Sequence, residues 1–248
     1  ITEFGWRIPF LIGCLLVPLI FFLRRSLEET PEFLARKHHP TPQEVWQSML
    51  ANWKIVMLGM FLVAMTTVNF YFITVYTPTF GKNVLKLAEI DSLIVTLCVA
   101  LTNFIWLPIG GAISDRIGRK KVLLAMTILA LMTAIPALRW MVVEPSFSKM
   151  LAVELWLSFL YGIYNGAMVV SLTEVVPVQV RTTCFSLAYS LAAALFGTFT
   201  PLVSTWLIKE TADPASPSYW LMAAAISGAA ATLAIYKKAD TTVEQSHG

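Results

Sequence analysis

The chain has 248 residues, of which 57% are hydrophobic and 13% are charged, and its mean hydropathy is +0.69. This composition excludes an ordinary soluble domain of the same size, because a single core could not bury so much apolar surface. The formal net charge of +3 is unremarkable, so the distribution of the charges is more informative than their sum.

The chain begins at Ile1, and no charged segment of the kind found in signal peptides precedes its first apolar run. We therefore expect the chain to be the interior and tail of a longer polypeptide. The three cysteines, Cys14, Cys98 and Cys184, lie inside apolar runs without a CxxC motif or a histidine partner. They are expected to pack as small hydrophobic side chains, and neither a metal nor a cofactor is predicted.

Seven apolar runs are long enough to predict membrane-spanning helices, which need about 20 residues each. They cover 6–23, 55–80, 92–113, 122–141, 151–175, 183–208 and 219–236. The predicted fold is an all-α membrane protein with seven transmembrane helices: one helix in 1–25 and a six-helix bundle in 55–238. In the last span, the row of small residues Ala224, Gly228 and Thr232 predicts close helix packing.

The loop 26–54 separates the first span from the bundle, and residues 239–248 form a tail. In the loop, Ser26 and Thr41 each begin a capping-box pattern, which predicts short helices on the membrane surface. His38 and His39 lie between the two patterns. No further ligand lies at metal-binding spacing, so we interpret them as solvated loop residues.

The basic run 110–121 joins the third and fourth predicted spans and predicts a tight membrane hairpin. Its glycines allow close packing and chain reversal, and its aspartate can pair with the arginines that follow. If the hairpin is cytoplasmic, twelve of the 18 lysines and arginines lie on its side of the membrane and six on the other. This agrees with the positive-inside rule and predicts that the loop 26–54 and the C-terminal tail are also cytoplasmic. The hairpin motif comprises Gly111, Asp115, Arg116, Gly118 and Arg119.

Polar side chains inside the predicted spans are candidates for lining a substrate cavity, because such groups are costly in lipid. Hydrogen bonding between helices is an equally good interpretation of any one of them, but their presence as a set on several spans favours a cavity. The candidates are Asn69, Tyr71 and Thr74 in the second span, Asn103 in the third, and Tyr161, Tyr164 and Asn165 in the fifth.

Charged residues are absent from the middle of every predicted span. Glu154 lies within a turn of the outer end of its span and is expected to be solvated, the alternative being a proton-sensitive carboxylate. Glu174 and Arg181 lie at the inner end of the bundle. We interpret them as partners of the hairpin in a latch that closes a gate. A purely structural network at the helix ends is the alternative.

Several of these runs resemble the major facilitator superfamily. The hairpin is similar to its G-x-x-x-D-R-x-G-R-[RK] signature, and 174–181 resembles an E-x-x-P-x-x-x-R junction at cytoplasmic helix ends. Further runs resemble the metabolite–proton symporter branch, and within it the citrate–proton symporters and tricarballylate transporters. They are GWRIPF at 5–10, RRSLEET at 24–30, FYFITVYTPT at 70–79, WLPIGG at 106–111 and YNGAM at 164–168.

The resemblance implies the sixth helix and the C-terminal six-helix half of a twelve-helix transporter in the bacterial inner membrane. It implies alternating access and symport of protons with citrate or a related tri- or dicarboxylate, without enzymatic activity. The expected partners are the carboxylate, protons, the lipid bilayer and the missing N-terminal half, but not nucleic acid. That half is expected to supply the cationic substrate-binding groups and the proton carrier. The alternatives are an inactive transporter fragment and a seven-helix receptor-type protein.

Overall fold

The computed structural model describes residues 7–26, 47, 50–176 and 180–246, and every regular element in this part of the chain is helical. The chain divides into two compact units, Ile1–Glu44 and Val45–Gly248. The first unit contains helix α1, Ile8–Ser26. The histidine pair and most of the predicted surface helices fall in 27–46, outside the described residues.

The second unit contains six long helices within its described residues. Each is long and apolar enough to cross a membrane, α7 over its part Pro217–Lys237. The apolar part of α1, Gly13–Leu23, is shorter. The predicted all-α membrane fold with seven helices is confirmed. The six helices are α2 (Trp53–Asn83), α3 (Glu89–Ile117), α4 (Arg119–Val142), α5 (Phe147–Val175), α6 (Arg181–Thr211) and α7 (Pro217–Ser246).

Local backbone chemistry explains several helix ends. The hairpin between α3 and α4 turns at Gly118, whose φ of 102° is rarely adopted by residues with a Cβ atom. Ser146 caps α5, since its hydroxyl oxygen accepts a hydrogen bond from the backbone N–H of Lys149 at 3.3 Å. α7 begins at Pro217, where a missing N–H leaves no donor unsatisfied. It continues to Ser246, so most of the predicted tail is helical.

Two clusters of buried apolar side chains fill the bundle. One includes Leu123, Leu172 and Cys184 and lies toward the hairpin end, meaning the end of the bundle that holds the α3–α4 turn. The other includes Leu138 and Met150 and lies toward the opposite end. Both clusters draw on α2, α4, α5 and α7, so these four helices connect the two clusters.

Helices α3 and α5 meet backbone to backbone. A Cβ atom added to Gly110 would lie 2.6 Å from the Cα atom of Ile163, and one added to Gly166 would lie 2.5 Å from the carbonyl oxygen of Leu107. A Cβ atom added to Gly162 would lie 2.4 Å from the Cβ atom of Trp106. Small residues permit such close approach between membrane helices. The glycines therefore determine how α5 lies against α3.

Helix α7 packs through the predicted row of small residues. A Cβ atom added to Gly228 would lie 2.8 Å from the hydroxyl oxygen of Tyr164 and 3.2 Å from the Cβ atom of Met65. Ala224 and Thr232, one turn to either side, are buried. The small-residue row therefore allows α7 to approach both α2 and α5.

Candidate cavity face and hairpin network

Helix α2 contains a π-helical segment, Tyr71–Tyr76, near its middle. A π-helical turn contains more residues than an α-helical turn, which changes the backbone hydrogen bonds of its carbonyl groups. Two threonine hydroxyls donate to carbonyl groups at this segment. Thr77 donates to the carbonyl oxygen of Phe72 at 3.0 Å, and Thr74 donates to that of Phe70. Single-turn π segments inside α-helices frequently occur at functional sites.

Helix α6 contains a second π-helical segment, Ala193–Gly197. In both helices a Thr-Pro pair follows the segment, Thr77-Pro78 in α2 and Thr200-Pro201 in α6, and proline cannot donate a backbone hydrogen bond. The two segments lie against each other, because a Cβ atom added to Gly197 would lie 2.8 Å from the ring of Tyr71. The bundle thus has two adjacent helices with irregular winding at similar depth.

Three tyrosines converge beside these segments. Tyr189 of α6 lies near Tyr71 of α2 and near Tyr161 of α5. The ring of Phe70 lies 5.9 Å from that of Tyr71 and 5.7 Å from that of Tyr161, between centroids. Tyr71, Thr74 and Tyr189 are half-buried, whereas Tyr161 is buried. We call these four residues, Tyr71, Thr74, Tyr161 and Tyr189, the cavity face.

A buried polar cluster lies behind the cavity face. The amide nitrogen of Asn165 donates to the hydroxyl oxygen of Tyr161 at 3.4 Å, and its amide oxygen has no hydrogen-bond partner among the described residues. The hydroxyl of Ser158 donates to the amide oxygen of Asn103 at 2.7 Å. The hydroxyl oxygens of Ser158 and Thr102 lie 2.9 Å apart. Asn103 is buried and joins α3 to α5 through its bond to Ser158.

Two predicted cavity residues are buried and donate to backbone carbonyls instead. Tyr164 is completely buried, and its hydroxyl donates to the backbone carbonyl of Leu62 at 2.9 Å, so it lies between helices in this structure. The physical reason is that this side of α5 packs against α2 and α7. Asn69 is 3% exposed, and its amide nitrogen donates to the carbonyl of Met65, one turn earlier in α2, at 2.8 Å.

Glu154 is the clearest departure from expectation. The prediction that it is solvated is wrong, because its exposure is 0%. Helix α5 begins at Phe147, and α3 begins at Glu89, each several residues before the apolar run that predicted it. Both helices therefore extend beyond the level of Glu154 in the bundle. The carboxyl group of Glu154 lies inside the bundle as a result.

An ion-pair network joins the hairpin to the end of α5. A guanidinium nitrogen of Arg119 lies 3.0 Å from a carboxylate oxygen of Asp115 and 2.9 Å from one of Glu174. The three side chains are partly exposed, which limits the stability that the network contributes. At the same end, the ammonium group of Lys120 lies 5.8 Å from the ring centroid of Tyr236 in α7.

Two predicted members do not join this network. Arg116 is exposed and makes no ion pair with the described residues. Arg181 is half-buried, and its Nε atom has no hydrogen-bond partner in the part of the chain that the structure describes. The geometric reason is that Arg119 occupies the position between Asp115 and Glu174. Gly111 lies one turn before Asp115, and a Cβ atom added there would meet nothing within 4 Å.

The helices and their buried polar groups define a multi-pass integral membrane protein. The family model of the Major Facilitator Superfamily matches residues 1–201, and the chain belongs to this superfamily. It is 59% identical over 244 residues to a citrate-proton symporter of Klebsiella pneumoniae, which covers 98% of this chain and 55% of the relative. The corresponding protein of Salmonella typhi is 59% identical over 236 residues, covering 95% and 54%.

A proline/betaine transporter of Salmonella typhimurium is more distant, at 26% identity over 239 residues, or 91% of this chain and 47% of the relative. The chain spans about half the length of the curated relatives it matches. No solved structure matches. The relatives are named as transporters and not as enzymes.

Two residues of the site, Tyr189 and Ser158, and the burial of Glu154 were not predicted from the sequence. A signal for Tyr189 existed, since it is a hydroxyl-bearing aromatic residue inside a predicted span, like Tyr71 and Tyr161. Ser158 lies one turn from Glu154 and one turn from Tyr161 on α5, which is the spacing of side chains on one helical face. That spacing could have revealed the polar cluster.

Proposed function

We propose that the chain is part of a proton-coupled symporter for citrate or a related tri- or dicarboxylate. The observation that carries this proposal is the 59% identity, over nearly the whole chain, to two proteins named citrate-proton symporters. Membership of the superfamily supports alternating access, in which two bundles rock around a central site. In this proposal the coupling ion is the proton, no cofactor is needed and no chemical step is catalysed.

The cavity face supplies neutral hydrogen-bond donors to the substrate. The hydroxyls of Tyr71, Tyr161 and Tyr189 can each donate to a carboxylate oxygen. A multiply charged anion in a dry site also needs cationic partners, because unpaired buried charge is costly. The cavity face contains no cation. We therefore assign the cationic groups to a further bundle that this chain does not contain.

The proposed arrangement places the chain as the sixth helix and the C-terminal half of a twelve-helix transporter. The hairpin and the C-terminus would lie in the cytoplasm of a bacterium and the bundle in its inner membrane, as the distribution of lysine and arginine favours. Arg119 would then tie the cytoplasmic ends of α3 and α5 through Asp115 and Glu174. We propose that this network is a latch in one state of the gate.

The test uses a chimera in which this chain replaces the matched region of the Klebsiella pneumoniae relative. The chimera and the chain alone are reconstituted separately into liposomes, and uptake of radiolabelled citrate is measured with and without an inwardly directed proton gradient. We expect the chimera to accumulate citrate only with the gradient, and the chain alone to accumulate none. A panel of unlabelled citrate, tricarballylate and smaller dicarboxylates as competitors then identifies the preferred acid.

Two results would contradict the proposal. A folded chimera that moves none of these acids would reject the assigned substrate class. Citrate accumulation by the chain alone would reject the assignment of the cationic groups to a further bundle. Empty liposomes and liposomes with the unmodified relative are the matched controls.

A further inference from the structure

Glu154 has an environment unlike that of every other described charged residue. It is the only charged side chain in the described part of the chain that is buried, with 0% exposure. Neither of its carboxyl oxygens has a hydrogen-bond partner among the described residues. A lone carboxylate is costly in such a place, whereas a carboxylic acid is tolerated. The packing around Glu154 therefore favours the neutral carboxylic acid over the carboxylate.

The charged groups near this end of the bundle are paired with one another, exposed or, as at Asp91, half-buried. Lys82 pairs with Glu89 at 2.7 Å, and Lys149 lies 3.7 Å from Glu144. None of the described ionisable groups forms an ion pair with Glu154. Those on the same half of the neighbouring elements are Tyr71, Tyr76 and Lys82 on α2, Glu89, Asp91 and Cys98 on α3, Arg139 on α4, Lys149 and Tyr161 on α5 itself, Tyr189, Lys209 and Glu210 on α6, and Tyr219 on α7.

The polar group beside the carboxyl is the hydroxyl of Thr77, at the end of the π segment in α2. This hydroxyl is directed to the carbonyl oxygen of Phe72, to which it donates at 3.0 Å. A hydroxyl has one proton to donate. A carboxylate at Glu154 would compete with the carbonyl oxygen of Phe72 for the hydrogen bond from Thr77. A protonated carboxyl group would leave the Thr77 hydroxyl bonded to that carbonyl.

Glu154 also begins a polar row on α5. Glu154, Ser158, Tyr161 and Asn165 follow at spacings of four, three and four residues, which places them on one side of the helix. Tyr161 belongs to the cavity face, and Asn165 donates to its hydroxyl. The row therefore connects the buried carboxyl to the face on which the substrate is proposed to bind.

We propose that Glu154 binds a transported proton and that its charge state controls the winding of α2 at the π segment. The inference rests on the proposed function and deepens it, because it places a proton-binding residue in this chain. The proton is held as the carboxyl O–H. When it leaves to the solution on one side of the membrane, the carboxylate accepts the Thr77 hydroxyl, and the carbonyl of Phe72 loses that donor.

The test compares two modes of transport by the chimera. Glu154→Gln keeps the size of the side chain but cannot release a proton. We expect this variant to lose citrate accumulation driven by a proton gradient and to retain exchange of internal for external citrate, which needs no net proton movement. Glu210→Gln changes an exposed glutamate of α6 and is the matched control, with both modes retained.

Thr77 provides an independent arm. Thr77→Val removes the hydroxyl at nearly constant shape, and Thr77→Ser keeps it. We expect the valine variant to shift the pH profile of citrate uptake, and the serine variant to retain the profile of the unmodified chimera. A purely structural threonine would alter stability in the valine variant without moving the profile.

The outcomes separate the two proposals. If the unmodified chimera moves no citrate in either mode, the proposed function fails. If it moves citrate and Glu154→Gln still accumulates it with an unchanged pH profile, the function stands and the role of Glu154 is overturned. Should Glu154→Gln fail to fold, judged by size-exclusion chromatography, Glu154→Asp decides. A shifted pH profile of uptake supports the role, and an unchanged profile overturns it.

Discussion

Two helix pairs in the bundle meet in opposite ways. Helices α3 and α5 touch through backbone atoms at Gly110, Gly162 and Gly166, so neither can shift without a steric clash. Helices α2 and α6 touch where each has a π segment, and the close contact there is between Gly197 and a tyrosine ring. The first pair is built as a rigid support. The second has irregular winding and movable side chains beside the cavity face.

The largest expected effect is on the rigid pair. Gly110→Ala would place a Cβ atom 2.6 Å from the Cα atom of Ile163, and a backbone atom cannot move aside as a side-chain end can. Overpacking of this kind costs about 1–3 kcal/mol. We expect a lower midpoint of thermal unfolding for the chimera in detergent, measured by the fraction that remains monodisperse after heating.

Gly111→Ala is the matched control for this substitution. It lies next in sequence in the same helix, and a Cβ atom there meets nothing within 4 Å. Alanine is favoured over glycine in a helix by about 1 kcal/mol, so this variant should be as stable as the parent or more so. Equal destabilisation by both variants would refute the backbone contact between α3 and α5.

An intermediate effect is expected at the contact between α2 and α6. Gly197→Ala would place a Cβ atom 2.8 Å from the ring of Tyr71, which can rotate away. The unfolding free energy should change by about 1 kcal/mol or less, because the gain in helix propensity offsets part of the clash. The KM for citrate should rise, because Tyr71 leaves the cavity face.

The double variant Gly197→Ala with Tyr71→Ala tests this cause. It should recover most of the stability of Tyr71→Ala alone, since the clash with the ring is gone and only the milder contact at 3.2 Å from the Cβ atom of Thr67 is left. If Gly197→Ala lowers stability as much as Gly110→Ala and leaves the KM unchanged, the two helix pairs do not differ as the structure indicates.

The rigid pair could be predicted from sequence more completely than the irregular one. Apolar length alone located the helices, because a membrane span must satisfy its backbone internally. The turn at Gly118 and the close contact of Gly110 follow from local residue chemistry. Each depends on the absence of a Cβ atom and on little else.

The irregular pair depends on tertiary structure. The two Thr-Pro pairs were visible, but a π segment forms only where neighbouring helices accept the wider winding. Tyr161 and Tyr164 are both predicted cavity residues, yet packing against α2 and α7 buries Tyr164 completely. Glu154 shows the same limit. Its burial depends on where α3 and α5 begin. The first turns of these helices contain polar residues, so a search for apolar runs does not find where the helices begin.

The smallest expected effect on stability lies at the hairpin end of the rigid pair. Arg119 and Glu174 join α3–α4 to α5 at 2.9 Å, but both side chains are partly exposed. Exposed ion pairs contribute about 0.2–1 kcal/mol. A double-mutant cycle with Arg119→Ala and Glu174→Ala, measured by unfolding of the chimera, should give a coupling energy in this range.

Lys82 and Glu89 form an ion pair at the opposite end of the bundle and provide the matched cycle. Their coupling should be as weak, but their variants should not change citrate transport, because they lie away from the hairpin. The Arg119 and Glu174 variants should change the rate of citrate exchange despite their small effect on stability, since a latch acts on the balance between gate states. If both cycles leave exchange unchanged, the network at the hairpin is structural and the latch is rejected.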